Sequence, residues 1–366
     1  IVYFSVEEVS LAKSPNLLEE IIIYQVHKYP KGKLYFFFDE IQYVNFWNSM
    51  LKKYVDRDTR LKFVVSGSSS LFIRTDAQES LAGRLLEVVM RPLSYGEYLR
   101  LIKNIAVPNS NLLSVKNLTD FDDVLQDNFF DYLTFGEFPY LAKLSSFDDR
   151  KQYVLDWVIG KIVQNDLPRS RRILNSQALT NLADVLIEGS GQLVEMQNLA
   201  SDLAIDRATL SEYLWLLEQS NVMGMIFNRG MGFRTRSVRQ RKIYATSVNA
   251  VVYKNTTGST SESFGLKIGQ IMETYVYAYL LSRTEELSFW RQRQVKEVDF
   301  IAKHAGRLLP IEVKYKHAIK DEDLKNLLYM CRKQKLSEAV VVTNSQVEHK
   351  KIEGVTVHFV PACYLV

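Results

Sequence analysis

The stretch from Lys33 to Gln42, KLYFFFDEIQ, narrows the fold of this chain more than any other. A continuous Leu/Tyr/Phe run bounded by polar residues reads as a strand buried on both faces, as in a parallel sheet covered by helices. It stops at two carboxylates, Asp39 and Glu40. The carboxyl ends of strands are where open α/β sheets bind their ligands. In nucleotide hydrolases, acids at that position hold Mg2+ and orient the attacking water. The plainer reading is a buried strand that ends in two solvated acids, so the flanking segments decide.

Those flanks alternate between strand and helix. Strand-like Ile1–Val6 precedes a helical pattern from Asn16 to Tyr29. After the acid pair come an amphipathic stretch carrying Phe46, Trp47, Leu51 and Tyr54, and a second buried strand from Leu61 to Val65. Such alternation gives right-handed crossovers and a parallel sheet. The second strand runs into SGSSS (Ser66–Ser70), whose hydroxyls suit a phosphate or a metal-bound water but equally a polar turn. Leu81-Ala82-Gly83-Arg84 sets an arginine behind a short turn, placed to pair with a local acid or to reach a phosphate. Ser94, with Glu97 three residues on, predicts a capping box that opens a helix to about Leu101.

An aperiodic connector from Val107 to Asp120 leads into helical periods from Phe121 to Val163, interrupted by FGEFPYL (Phe135–Leu141). Helical Leu179–Ile187 and Met196–Leu203, a turn at Ala204–Asp206 and helical Arg207–Gln219 describe a helix-turn-helix. Strand-like Val222–Phe227 and Lys242–Ala245 around a Gly-rich turn add a β-wing. Arg207, Arg229, Arg234, Arg236, Arg239, Arg241 and Lys242 outnumber the acids Glu212 and Glu218 here, an excess suited to phosphate contacts. With Thr209 on the recognition helix, these residues are the candidate nucleic-acid contacts, DNA being the favoured partner. Because the formal net charge is only +4, any such affinity is local. Protein docking is the alternative use of the same elements.

Beyond a polar linker at Asn255–Ser263, the pattern is helix Ile268–Leu281, three strands (Leu287–Arg291, Glu297–Ala302, Leu308–Lys314), helix Asp321–Gln334, and strands at Ala339–Thr343 and Val355–Val360. Strand alternation puts Glu312 and Lys314 on one face, and hairpin pairing brings Asp299 beside Glu312. Glu273 can approach from the preceding helix. Carboxylates converging beside a lysine make an oxygen-rich site suited to Mg2+ or Mn2+, which would acidify a bound water. The bland alternative is a buried structural ion pair between Asp299 and Lys314.

A chain of 366 residues exceeds one ordinary core, and 47% hydrophobic with 24% charged residues is globular composition. Two cysteines, Cys331 and Cys363, fit a reducing cytosol better than a disulfide framework. No run reaches the length of a membrane helix and no signal sequence opens the chain, so a cytoplasmic location is expected.

Taken in order, FFFDEIQ, VVSGSSS, LAGR and RPLSYGEYL, followed by EVDF and IEVKYK, resemble the archaeal and bacterial AAA+ ATPases that carry a winged helix and a PD-(D/E)XK nuclease-like C-terminal domain. The resemblance implies an α/β fold in four parts: a nucleotide-binding core over 1–105, a helical lid over 106–170, a winged helix over 171–252 and a restriction-endonuclease-like domain over 263–366. It implies ATP and Mg2+ as cofactors, Asp39 as the magnesium ligand, Glu40 as the residue polarising the hydrolytic water, and Ser66 or Ser68 as sensor. It also implies that Arg84 reaches a γ-phosphate in a neighbouring subunit, hence a homo-oligomer. In the C-terminal domain it assigns Asp299 and Glu312 to the metal, with Glu273 and Lys314 completing the catalytic set. Val298 stands where the family usually has Pro.

The phosphate-cradling sequence G-x-x-x-x-G-K-S/T occurs nowhere in the 366 residues. The resemblance places it upstream of the strand matching Ile1–Val6, so these residues by themselves are expected to hydrolyse ATP poorly. The leading expectation is an ATPase coupled to nucleic-acid handling, with metal-dependent cleavage by its C-terminal domain left open. The alternative is a nucleotide-dependent switch or scaffold that binds nucleic acid or protein and cuts nothing.

Overall fold

The computed structural model describes residues 1–6, 16–67, 81, 83–108, 112–113, 115–170, 173–229, 241–258, 264–265, 267–292, 296–304, 306–316 and 318–366. The chain forms two compact units, Ile1–Met90 with Gln164–Leu174, and Arg91–Val163 with Asn175–Val366. Residues 91–105, and most of what was expected as lid, winged helix and nuclease-like domain, therefore lie in the second unit.

In the first unit, β1 (Val2–Ser5), β2 (Leu34–Asp39) and β3 (Leu61–Val65) form a parallel sheet in the order β1-β2-β3. Leu34, Phe36 and Phe38 are buried on one face of β2, where Phe63 stacks on Phe36 and Phe38 with centroids 5.3 and 6.2 Å away. Leu18 and Ile22 from the helix Leu17–Lys28, and Trp47 and Leu51 from the helix Trp47–Arg57, close the same core. Burial of β2 on both faces is not what is observed: Tyr35, on its other face, is 40% exposed. Apolar composition alone does not show which faces helices cover.

The second unit opens with the helix Tyr95–Leu101, capped as predicted. The Glu97 backbone N–H donates to Ser94 Oγ at 3.3 Å, and the Ser94 N–H donates to the Glu97 carboxylate at 2.8 Å. The helices Ser176–Glu188, Met196–Asp202 and Arg207–Gln219 accompany a small antiparallel sheet of β4 (Leu193–Val194, between the first two helices), β5 (Met223–Phe227) and β6 (Arg241–Ala245), in the order β4-β6-β5. The helix Ile268–Leu281 then leads into a six-stranded mixed sheet. Its strands are β7 (Glu286–Gln292), β8 (Lys296–His304), β9 (Arg307–Val313), β10 (Glu338–Thr343), β11 (Glu348–Ile352) and β12 (Val355–Pro361), in the order β11-β12-β10-β9-β8-β7. Leu324, Leu327, Leu328 and Cys331 of the helix Asp321–Gln334 pack on Val298, Val341 and Val357 of this sheet. Cys331 and Cys363 are both free and buried. No described helix is long and apolar enough to cross a membrane.

Candidate functional site

The parallel register of the first sheet sets Ser5 beside Asp39, and Ser66 directly follows β3. Three strand ends therefore converge on one carboxylate. Ser66 Oγ donates to Asp39 Oδ1, and the Tyr3 hydroxyl donates to Asp39 Oδ2 at 3.0 Å. Backbone bonds from Ser66 N–H to Phe38 O and from Ile41 N–H to Ser66 O, each 3.0 Å, hold the two strand ends in place. The bond to Asp39 raises the pKa of the Tyr3 phenol, because losing its proton would set two anions side by side. Glu40 adopts a left-handed backbone, φ 55°, which is uncommon for a residue with a Cβ and turns the chain sharply out of the strand. The Gln42 side-chain amide donates to its carboxylate. The structure thus brings Asp39 and Ser66 together, with Glu40 next in the chain. Carboxylate and hydroxyl oxygens are a donor set that fits Mg2+. Arg84 bonds Asp56, with Nε 2.6 Å from the carboxylate. Ser68 lies outside the described residues.

The second constellation is in the other unit. Glu273 comes from the helix Ile268–Leu281, Glu297 and Asp299 from β8, Glu312 from β9, and Lys314 from the residues after it. Pairing of Phe300 with Ile311 sets Asp299 near Glu312, as expected. The Asp299 carboxylate accepts the Val313 backbone N–H at 2.9 Å, and Lys314 Nζ bonds Glu312 Oε1 at 2.6 Å. Burial, then the charge of Asp299, pushes the Glu312 carboxyl up to about 8. Glu273 is raised for the same two reasons, against the opposing pull of Lys242 and its hydrogen bonds.

Lys242 is the participant placed elsewhere on sequence grounds. Expected on the wing among nucleic-acid contacts, it is 3% exposed. Its Nζ lies 2.8 Å from Glu273, 2.7 Å from Glu297 and 3.7 Å from Asp299. Tyr244, two residues along the same strand face, donates to the same Glu273 oxygen at 2.6 Å. Burial lowers the basicity of Lys242, but Glu273, Asp299 and Glu297 together raise it above that of an ordinary lysine. Glu297 was not singled out from sequence either, although alternation along β8 puts it on the face of Asp299. Among the described residues, no three His, Cys, Asp or Glu side chains are grouped so as to hold a metal ion.

Arg241 also departs from its expected place. It is only partly exposed, its guanidinium lies over the Phe227 ring at 5.5 Å, and burial lowers its pKa. Arg229 pairs with Glu286 at 3.4 Å. Arg207 is exposed at the first turn of its helix, while the Thr209 hydroxyl bonds the N-cap residue Asp206 at 2.7 Å. Arg234, Arg236 and Arg239 lie outside the described residues.

Residues 1–99 match the model of an AAA domain, which points to an ATPase-like, nucleotide-binding role for the first unit. Residues 126–249 and 268–364 each match a domain of unknown function, DUF8612 and DUF4143. An uncharacterized protein of Haemophilus influenzae is 24% identical over 337 residues, covering 90% of this chain and 76% of that protein. The uncharacterized proteins MJ1637 and MJ1544 of Methanocaldococcus jannaschii are 23% and 24% identical. They cover 97% and 72% of this chain, and 75% and 57% of their own lengths. The crystal structure of protein VC1899 from Vibrio cholerae aligns over 90% of this chain and 88% of its own. Its 12% identity and TM-score of 0.22 are too low to assign a fold.

Proposed function

We propose that this chain belongs to an ATP-hydrolysing machine in which Asp39 holds Mg2+, Glu40 orients the attacking water and Ser66 reads the state of the nucleotide. The observation that carries this is the Ser66–Asp39 hydrogen bond across the ends of adjacent parallel strands, in a segment matching an AAA domain. ATP with Mg2+ supplies the hydrolysable phosphoanhydride, and the chain's own carboxylates position metal and water around it. Arg84 must leave Asp56 before it can act on a neighbouring subunit's γ-phosphate. The test is ATP turnover by the longest natural form of the polypeptide. Glu40→Gln should keep ATP bound and lower turnover by on the order of a hundredfold, as expected for loss of a general base. Unchanged turnover would remove Glu40 from the mechanism.

For the second unit, the helix pair, the small antiparallel sheet and the exposed Arg207 support a winged helix contacting nucleic acid, DNA first among candidates. The strand order and the Asp299, Glu312, Lys314 arrangement support a nuclease-like fold. One observation favours the reading in which this fold binds without cutting: the Lys242 ammonium sits among Glu273, Glu297 and Asp299. The ATP cycle then drives a conformational change in a nucleic-acid-bound assembly.

A further inference from the structure

We propose that Lys242 is a built-in counter-cation that takes the place of a divalent metal among Glu273, Glu297 and Asp299, and so keeps this carboxylate cluster from binding Mg2+ or Mn2+. The inference rests on the cluster's geometry and not on the ATPase reading.

Lys242 is held where it is by backbone as well as charge. β6 is the middle strand of its sheet, with Lys242 opposite Leu193 on one side and Ile226 on the other. The ammonium therefore cannot withdraw without shifting a paired strand or turning its side chain within a closed core. At 2.7 and 2.8 Å its nitrogen is in direct contact with Glu297 and Glu273. A divalent ion needs carboxylate oxygens at about 2.0–2.6 Å, so ion and ammonium cannot occupy that centre together. Two cations a few ångströms apart in a buried site would also repel strongly.

The remaining oxygens show what the lysine displaces. One Asp299 oxygen accepts the Val313 N–H, and Glu312 Oε1 takes the Lys314 ammonium. Glu312 Oε2 is buried with no hydrogen-bond partner. Buried polar atoms are seldom left unsatisfied, and an unpartnered carboxylate oxygen is the kind of atom a metal would engage. With Lys242 removed, Glu273, Glu297 and Asp299 lose the cation they share, which leaves a buried surplus of negative charge that a divalent cation would neutralise.

Mn2+ itself is the probe, and binding and melting are the readouts, so neither nucleic-acid cleavage nor ATP turnover enters. In the unaltered chain, Mn2+ titrated under electron paramagnetic resonance should show no stoichiometric bound ion that Asp299→Asn removes, which sets aside any ion held at Asp39, and the melting temperature should not move. Lys242→Met, which keeps most of the apolar stem, should melt lower, bind Mn2+ at least about tenfold more tightly than the parent, and recover melting temperature as Mn2+ is added. Adding Asp299→Asn should abolish both effects. A folded Lys242→Met chain that binds no Mn2+ overturns the proposal. So does stoichiometric Mn2+ on the unaltered chain that Asp299→Asn removes, an outcome readable even if Lys242→Met fails to fold.

Discussion

Glu137 and Asn249 hold each other by reciprocal bonds. The Asn249 backbone N–H donates to the Glu137 carboxylate at 2.8 Å, and the Glu137 backbone N–H donates to Asn249 Oδ1 at 3.2 Å. Ser247 Oγ at 2.6 Å and the Val248 N–H at 2.9 Å complete the donors, so Glu137 caps the helix Val248–Asn255 from a distant part of the chain. Asn249 Nδ2 in turn donates to Leu133 O at 2.8 Å. The FGEFPYL segment, legible only as a turn, is thereby tied to the core of the second unit.

A pH dependence follows from this clasp. Burial raises the Glu137 carboxyl from 4.5 to about 7, outweighing the donors from Ser247, Asn249 and Val248. The folded state thus keeps this proton longer than the unfolded chain does. Its stabilising contribution is complete below pH 4.5 and is lost as pH rises through about 7, amounting to about 3 kcal/mol. Urea midpoints measured between pH 4.5 and 7.5 should fall with pH, and Glu137→Gln should flatten that slope. An identical slope in the variant would assign the effect to other groups.

Gly224 is a packing requirement. A Cβ built there would lie 1.9 Å from the Tyr277 hydroxyl, and the buried Tyr277 ring stacks on Tyr244 at 4.5 Å with planes 10° apart. The ring has nowhere to move without disturbing Tyr244. Gly224→Ala should cost about 1–3 kcal/mol by overpacking. Tyr277→Phe removes the nearest clashing atom, so the double variant should recover part of the loss in a thermal double-mutant cycle. Strict additivity would show that the hydroxyl is not the obstacle.

Ser66→Ala separates catalysis from stability. The bond to Asp39 is solvent-exposed, so its loss should change the melting temperature little. If Ser66 holds Asp39 for the metal, ATP turnover by the longest natural polypeptide should drop by roughly tenfold, the equivalent of about 1.4 kcal/mol. A large melting shift with normal turnover would make the bond structural instead.

The basic residues from Arg207 onward should divide into two behaviours. Arg207→Ala should weaken duplex DNA binding uniformly across sequences and reduce the log–log salt slope by about 1, as expected for one lost phosphate contact. Arg241→Ala should lower the melting temperature and leave that slope unchanged, because its guanidinium packs on Phe227. Fluorescence anisotropy over a salt series distinguishes them, and a reduced slope for Arg241→Ala would return it to the binding face.

The sequence alone determined what depends on neighbours along the chain. β2 and its terminal acids, the Ser94 capping box, the Asp206 cap and the strand–helix order of the C-terminal sheet all follow from local pattern. β11 was not visible, because EHKKI has no apolar alternation and its pairing is with β12. Strand alternation puts Lys242 and Tyr244 on one face of β6, and Glu297 and Asp299 on one face of β8. Only the tertiary structure decided that those faces meet, with Glu273 between them. That decision rests on how a strand and a helix far apart in sequence pack together. Once they do, a buried ammonium requires carboxylates around it, and a lysine that reads as a surface contact becomes the centre of a buried charge cluster.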